Sequence, residues 1–392
     1  MPYDFDQPFD RRHTGSMKWQ LYDEDVLPMW VADMDFPVPP PILAALHARV
    51  DMADFGYEKP SLALAEVICA RLRRLYGWDV TTEQIMFIPS LVTGINAVAR
   101  AIGAPGDGVL VQTPVYPPFL TAPTNQDRVT QMAELELVPN GRTFSYRIDY
   151  ERMEAAVTDR TRLFILCNPH NPTGEAYSRA EQLRMAEFCE RHNLIVCSDE
   201  IHCDLLLDDT QHVPMATLAP EIADRTITLM APSKTYNIPG MKASFAVVTN
   251  PELRQRLAAA TAGIVPWLNC LGLTAMDAAY RHCDDWLNEL RAYLTANRNV
   301  TVQYVLEQMP GIKTTVPQAT YLAWFDCREA GIEENPYEFF RREAKVALND
   351  GPPFGAGGEG FVRLNFGCPR ATLLEGLGRM KDALERLGRA GG

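Results

Sequence analysis

The chain has 392 residues, 47% of them hydrophobic and 22% charged, with a formal net charge of −13. Apolar content on this scale supports a large core and more than one domain, and argues against disorder. The acidic balance repels phosphate backbones and anionic lipid, so no nucleic acid and no membrane is expected as a partner.

The start, Met1-Pro-Tyr-Asp-Phe-Asp-Gln-Pro8, is polar and lacks the apolar stretch of a signal peptide. The longest apolar runs, such as 163–167, are strand-sized and too short to cross a bilayer. The nine cysteines are scattered without a Cys-x-x-Cys pair, and Cys69, Cys167 and Cys197 sit inside apolar runs. They read as reduced core residues of a cytoplasmic protein. His202-Cys203 near Asp199 has no second ligand pair, so no metal site is expected.

Residues 1–45 are rich in Pro and aromatics and read as an extended arm. From Ser61, a potential helix cap, Leu62, Ala65, Ile68, Leu72 and Leu75 keep helical spacing. A strand at 85–88, a helix at 93–102 and strands at 109–112 and 162–167 follow. Ser178-Arg-Ala-Glu181 is a capping box opening a helix to 192. Short buried-type strands come at 194–198 and 226–230, then one at 243–249. Strands separated by helices imply parallel pairing in a layered α/β domain. A helical tract at 284–309 bridges to a smaller C-terminal unit, where 361–366 alternates, with Arg363 and Asn365 opposite Val362 and Leu364. The expected division is a large domain over 46–284, and an N-terminal arm with a small α+β domain over 1–45 and 285–392. Residues 20–40 and 347–357 are expected to shape substrate access.

Polar residues that do not suit a core fall just beyond the ends of these strands. Tyr116 follows 109–112, Asn168 and Asn171 follow 162–167, Asp199 follows 194–198, and Ser233 and Lys234 follow 226–230. The carboxyl edge of a parallel sheet is where ligands bind. Taken singly, each has a plain reading: a solvated lysine, a helix cap, a turn built from Asn, Pro and Gly, a packing tyrosine. Together, in this order and on one sheet edge, they point to a site.

Four motifs then carry a resemblance that covers essentially the whole chain: Asn171-Pro-Thr-Gly174, Asp199-Glu-Ile-His202, Ser233-Lys-Thr-Tyr-Asn-Ile-Pro-Gly240 and Phe361-Val-Arg-Leu-Asn365. The sequence resembles fold-type I enzymes dependent on pyridoxal 5′-phosphate (PLP), the class I/II aminotransferase family. That resemblance implies an aspartate-aminotransferase fold with a mixed, mostly parallel sheet. It implies that Lys234 holds the cofactor as a Schiff base and then serves as general base. Asp199 would pair with the ring nitrogen, Asn171 would donate to the ring oxygen, and Tyr116 would stack on the ring. Backbone N–H groups near Leu91 and Val92, with Ser233 and Lys242, would hold the phosphate. Tyr57 would reach the phosphate of a neighbouring subunit, which requires a homodimer. Arg363 would clamp the substrate α-carboxylate, its plain alternative being an ion pair with Glu359.

Some positions depart from the aminotransferase pattern. Lys242 stands where many relatives have Arg, and Ala231 where they often have Ser. The run Met29-Trp-Val-Ala-Asp-Met-Asp-Phe36, Pro114-Val-Tyr-Pro-Pro-Phe119 and the sequence after Asp199 look like the cystathionine β-lyase group of the MalY/PatB type. His202 replaces the tyrosine of typical aminotransferases and is placed with the cofactor-binding residues. Ala32 and Asn171 join Arg363 as substrate-binding residues. Lyase relatives usually have Gly where Ser90 stands.

The resemblance implies a carbon–sulfur β-lyase that converts L-cystathionine or a related cysteine S-conjugate to pyruvate, ammonia and a thiol. Tyr57, Tyr116 or a water would protonate the leaving sulfur. An aminotransferase using the same residues and a 2-oxo acid is the alternative. A non-catalytic PLP-binding regulator is the remote one, disfavoured by the charge and by the intact Lys234.

Overall fold

The computed structural model describes residues 3–390. Its centre is a seven-stranded sheet in the order Ile85–Ile88, Ser244–Val247, Thr226–Met230, Ile195–Asp199, Thr161–Cys167, Gly108–Thr113, Val129–Glu134. The inner strands are short, apolar and buried on both faces, as parallel strands covered by helices must be. Val109, Val111, Leu163 and Ile165 pack on the side of the helix Leu91–Ala101. Leu110, Phe164 and Leu166 pack on the other, against Met185 and Phe188 of the helix Arg179–Arg191. The capping box of that helix is formed by Ser178 and Glu181, as the spacing predicts.

One strand runs against expectation. Ser244–Val247 is antiparallel to both of its neighbours. A parallel return needs a crossover helix, and residues 231–243 contain only the short 3-10 turn Pro239–Met241. The chain therefore comes straight back.

A six-stranded sheet stands beside the first, in the order Asn349–Asp350, Phe361–Asn365, Leu322–Asp326, Lys313–Thr315, Thr143–Arg147, Glu136–Asn140. The hairpin Glu136–Asn140/Thr143–Arg147 joins it through the parallel pairing of Thr143 with Thr314. The helix Asp284–Gln308 follows the large sheet in sequence, and Arg370–Ala390 ends the described chain. Phe361–Asn365 alternates as predicted but is buried on both faces.

The N-terminal segment is less extended than its composition suggests. It contains helices Met17–Gln20 and Pro40–Asp51, the second with prolines in its first turn, where a missing N–H costs nothing. Leu27–Pro28 pairs in parallel with Val346–Ala347, tying the arm to the C-terminal region. Among the described residues no helix is long and apolar enough to cross a membrane.

Candidate active site

A cavity of about 560 Å³ opens at the carboxyl edge of the seven-stranded sheet, within the usual range for small-molecule sites. Strand ends deliver its walls: Tyr116, Asn171, Asp199, Ser233 and Lys234 each stand at or beyond the end of their strand. Ile85–Ile88 leads into Ser90, Leu91 and Val92, and Lys242 precedes Ser244–Val247. Ala32, His202 and Arg363 complete the set. The structure thus brings every sequence-predicted site residue except Tyr57 to one cavity. Tyr57 is fully exposed and lies beside Trp267 on a separate surface.

Lys234 Nζ donates to the carbonyl oxygen of Ala32 at 2.6 Å, and the Tyr321 hydroxyl donates to that same oxygen at 2.9 Å. Burial pushes the Lys234 ammonium down to about 8, and Arg363 pushes in the same direction, while Asp33 and Asp199 oppose them. A substantial share of the amine is therefore neutral near physiological pH, ready to act as nucleophile or base.

Asp199 is buried, and loss of water pushes its carboxyl up to about 7. The Ile201 N–H, 3.0 Å from Oδ1, works against this, neighbouring Glu200 adds to it, and Lys234 opposes it. Glu200 is itself held by Ser198 Oγ at 2.8 Å and lies 2.7 Å from His212 Nε2. A carboxylate kept in so dry a place needs a cationic partner to remain charged.

Arg363 is also buried, which pushes it down to about 10. Nη1 donates to Asn171 Oδ1 at 2.7 Å, and Nη2 donates to the Trp30 carbonyl at 3.1 Å and to Asn349 Oδ1. Its guanidinium lies 5.1 Å from the centre of the Phe354 ring. Its hydrogen bonds go to neutral oxygens, none of them from Glu359, so its charge remains available to an anion. His202 is buried between like charges. Burial lowers it to about 3, with Lys234 and Arg363 adding to the effect, so the ring is neutral. Its Nδ1 has no hydrogen-bond partner among the described residues.

The far end is built for an anion. The helix Leu91–Ala101 begins in the cavity wall with no side chain capping it. Its first N–H groups lack intrahelical acceptors, and Ser233 and Lys242 line the same cavity. Ser90, before the helix, has φ +77° and ψ 138°, a conformation that suits glycine.

Several cavity residues have no site role that their sequence context indicates: Tyr22, Trp30, Asn349, Phe354 and Tyr337. The first four fall within the segments 20–40 and 347–357. Nothing in the sequence marks Tyr337, nor Tyr321 behind the Ala32 carbonyl. The arrangement as a whole offers a neutralisable amine, a buried carboxylate, a charged guanidinium and an anion cradle around one space.

Comparison with known proteins places this chemistry. A model of the family described as aminotransferase class I and II matches residues 26–380. Cystathionine beta-lyase PatB of Bacillus subtilis is 39% identical over 388 residues, covering 97% of this chain and 99% of that protein. The crystal structure of OvoB superposes with a TM-score of 0.92 at 42% identity, covering 97% of this chain and 99% of that one. Cystalysin from Treponema denticola, whose crystal structure contains pyridoxal 5′-phosphate, superposes with a TM-score of 0.94 at 30% identity, covering 99% and 100%. The match spans both sheets and the cavity residues from Trp30 to Arg363, and the chain belongs to the class I and II aminotransferase family.

Proposed function

We propose that this protein is a PLP-dependent carbon–sulfur β-lyase, acting on L-cystathionine or a related cysteine S-conjugate and releasing pyruvate, ammonia and a thiol. The observation that carries the reading is the near-full-length likeness to a cystathionine beta-lyase, joined to a cavity holding the residue set that lyase chemistry needs.

The cavity fits the cofactor. The uncapped helix start with Ser233 and Lys242 suits its phosphate, and buried Asp199 suits a protonated ring nitrogen. Tyr116 suits its ring face, Asn171 its ring oxygen, and neutral His202 stands beside them. Lys234 would hold it covalently. When bound, PLP supplies an electron sink for the pair left at the substrate Cα.

The chain's own residues do the rest. Arg363 binds the substrate α-carboxylate, with Asn171, Asn349 and the Trp30 carbonyl fixing the plane of the guanidinium. The Ala32 carbonyl steers the Lys234 amine, which takes the Cα proton. That electron pair forms the Cα–Cβ double bond, the Cβ–S bond breaks, and sulfur leaves with the bonding pair. The thiolate then takes a proton from Tyr116, from the partner subunit's Tyr57 or from water, and the released 2-aminoacrylate tautomerises to its imine and takes up one water to give pyruvate and ammonia. Exposed Tyr57 supports a homodimer in which each subunit lends this side chain to the other. A cytoplasmic location accords with the reduced-cysteine reading.

The test incubates purified holoenzyme with L-cystathionine and no 2-oxo acid. Pyruvate and free thiol are the expected products. Turnover only on adding 2-oxoglutarate, with glutamate formed, would make it an aminotransferase instead.

A further inference from the structure

The cavity continues beyond the reacting groups. Past Arg363 it opens between two segments from opposite ends of the chain. Tyr22 and Tyr337, 315 positions apart, meet hydroxyl to hydroxyl at 3.2 Å. Trp30 stands edge-to-face against Tyr22, with ring centres 5.9 Å apart. Its indole N–H is already used, donating to the Lys18 carbonyl at 3.1 Å. All three side chains line the cavity and are only half-buried. The indole N–H is used and the two hydroxyls are turned to each other, sharing one hydrogen bond, so what these side chains add to the wall is mainly aromatic carbon. A ring in contact with them gains both apolar burial and edge-to-face packing.

Charge at this mouth is one-sided. The cations of the cavity wall are Lys234, Lys242 and Arg363, and each has a use in the reaction described above. Asp350 is the charged residue of the mouth. Its Oδ1 accepts from Asn335 Nδ2 at 3.0 Å, and it has no ion-pair partner among the described residues. Arg341, whose charge reaches Tyr22, is paired with Glu338 at 2.6 Å and does not line the cavity. An acidic tail on the substrate would meet Asp350 and no free cation.

We propose that this mouth is the subsite for the sulfur substituent, and that it selects a flat ring without negative charge: the favoured substrates are cysteine conjugates whose sulfur carries an aromatic or heteroaromatic group. The proposal rests on the lyase reading and names its substrate class.

The experiment compares S-benzyl-, S-methyl- and S-(2-carboxyethyl)-L-cysteine with holoenzyme. Binding is read from the change in cofactor absorbance, and cleavage from thiol and pyruvate release. The benzyl conjugate should exceed the methyl one by about tenfold or more in kcat/KM, and the carboxyethyl conjugate should rank last. Tyr22→Ala and Trp30→Ala should each pull the benzyl-to-methyl ratio towards one. Asp350→Asn should raise carboxyethyl relative to methyl by about fivefold. Equal use of the three conjugates by the wild-type enzyme overturns the proposal and leaves the lyase standing. So does an unchanged benzyl-to-methyl ratio in both aromatic variants. If no conjugate is cleaved but binding still ranks benzyl first, the lyase reading falls and the subsite survives.

Discussion

The Lys234 amine donates to the carbonyl oxygen of Ala32 across 2.6 Å, although the two residues lie 202 positions apart. The Tyr321 hydroxyl shares that oxygen. One main-chain atom of the N-terminal segment thus aims the amine at the centre of the site. Asn365 holds the same segment in place, its Nδ2 donating to the carbonyls of Val31 and Asp33 at 2.7 Å each.

Lys234→Ala should leave the protein folded and abolish both cleavage and the yellow colour of covalently held cofactor. Loss of an aligned base alone lowers turnover by about 10²–10⁴-fold. Absorbance spectra and pyruvate release on the same sample check both effects, and borohydride trapping of the wild type should label Lys234. A label on another lysine would refute the assignment.

Asp199 should cost stability in the cofactor-free enzyme. Its carboxyl is raised from the ordinary value of 3.8 to about 7 by burial. The unfolded chain therefore releases this proton earlier than the folded one, and stability is lost as pH climbs from 3.8 towards about 7. Asp199→Asn should be more stable than wild type above that range, by about 1–4 kcal/mol, with the gap closing towards pH about 4. Thermal melts of the cofactor-free proteins measure this. The same variant should lose most of its lyase activity, about 10²-fold or more, because it cannot balance a cationic ring.

Ser90 occupies a glycine-like conformation at φ +77°. Such a residue carries strain of about 1–3 kcal/mol, partly offset on replacement by the added chain entropy of glycine, about 0.5–1 kcal/mol. Ser90→Gly should raise the urea midpoint by an amount equivalent to about 1 kcal/mol, and Ser90→Ala should not. Equal midpoints for the two variants would show that no strain resides there.

Tyr57 should act across a subunit boundary. Tyr57→Ala and Lys234→Ala should each be weakly active or inactive alone. Mixed and reassembled, they should recover about a quarter of wild-type activity, since half of the dimers are hybrids with one intact site. No recovery in hybrids verified by mass would confine each site to its own chain.

Arg363→Lys keeps the charge but not the two-pronged geometry, and should raise KM for the conjugate by about 10-fold with a smaller change in kcat. Steady-state kinetics separate the two constants.

Much of this was legible in the residues themselves, because the signals are local. An apolar run followed at once by Asn171, Asp199 or Lys234 states both a buried strand and what stands at its end. The parallel sheet then carries those ends to one edge. Ser178 and Glu181 likewise fix a helix start within a single turn. The tertiary structure alone decided what depends on distant partners: Ser244–Val247 reversing for want of a crossover helix, the hairpin Glu136–Asn140/Thr143–Arg147 joining C-terminal strands, and the meeting of Tyr22 with Tyr337. It also decided which atom of Ala32 matters. A main-chain carbonyl has the same chemistry at every position, so only its placement beside Lys234 gives it a role.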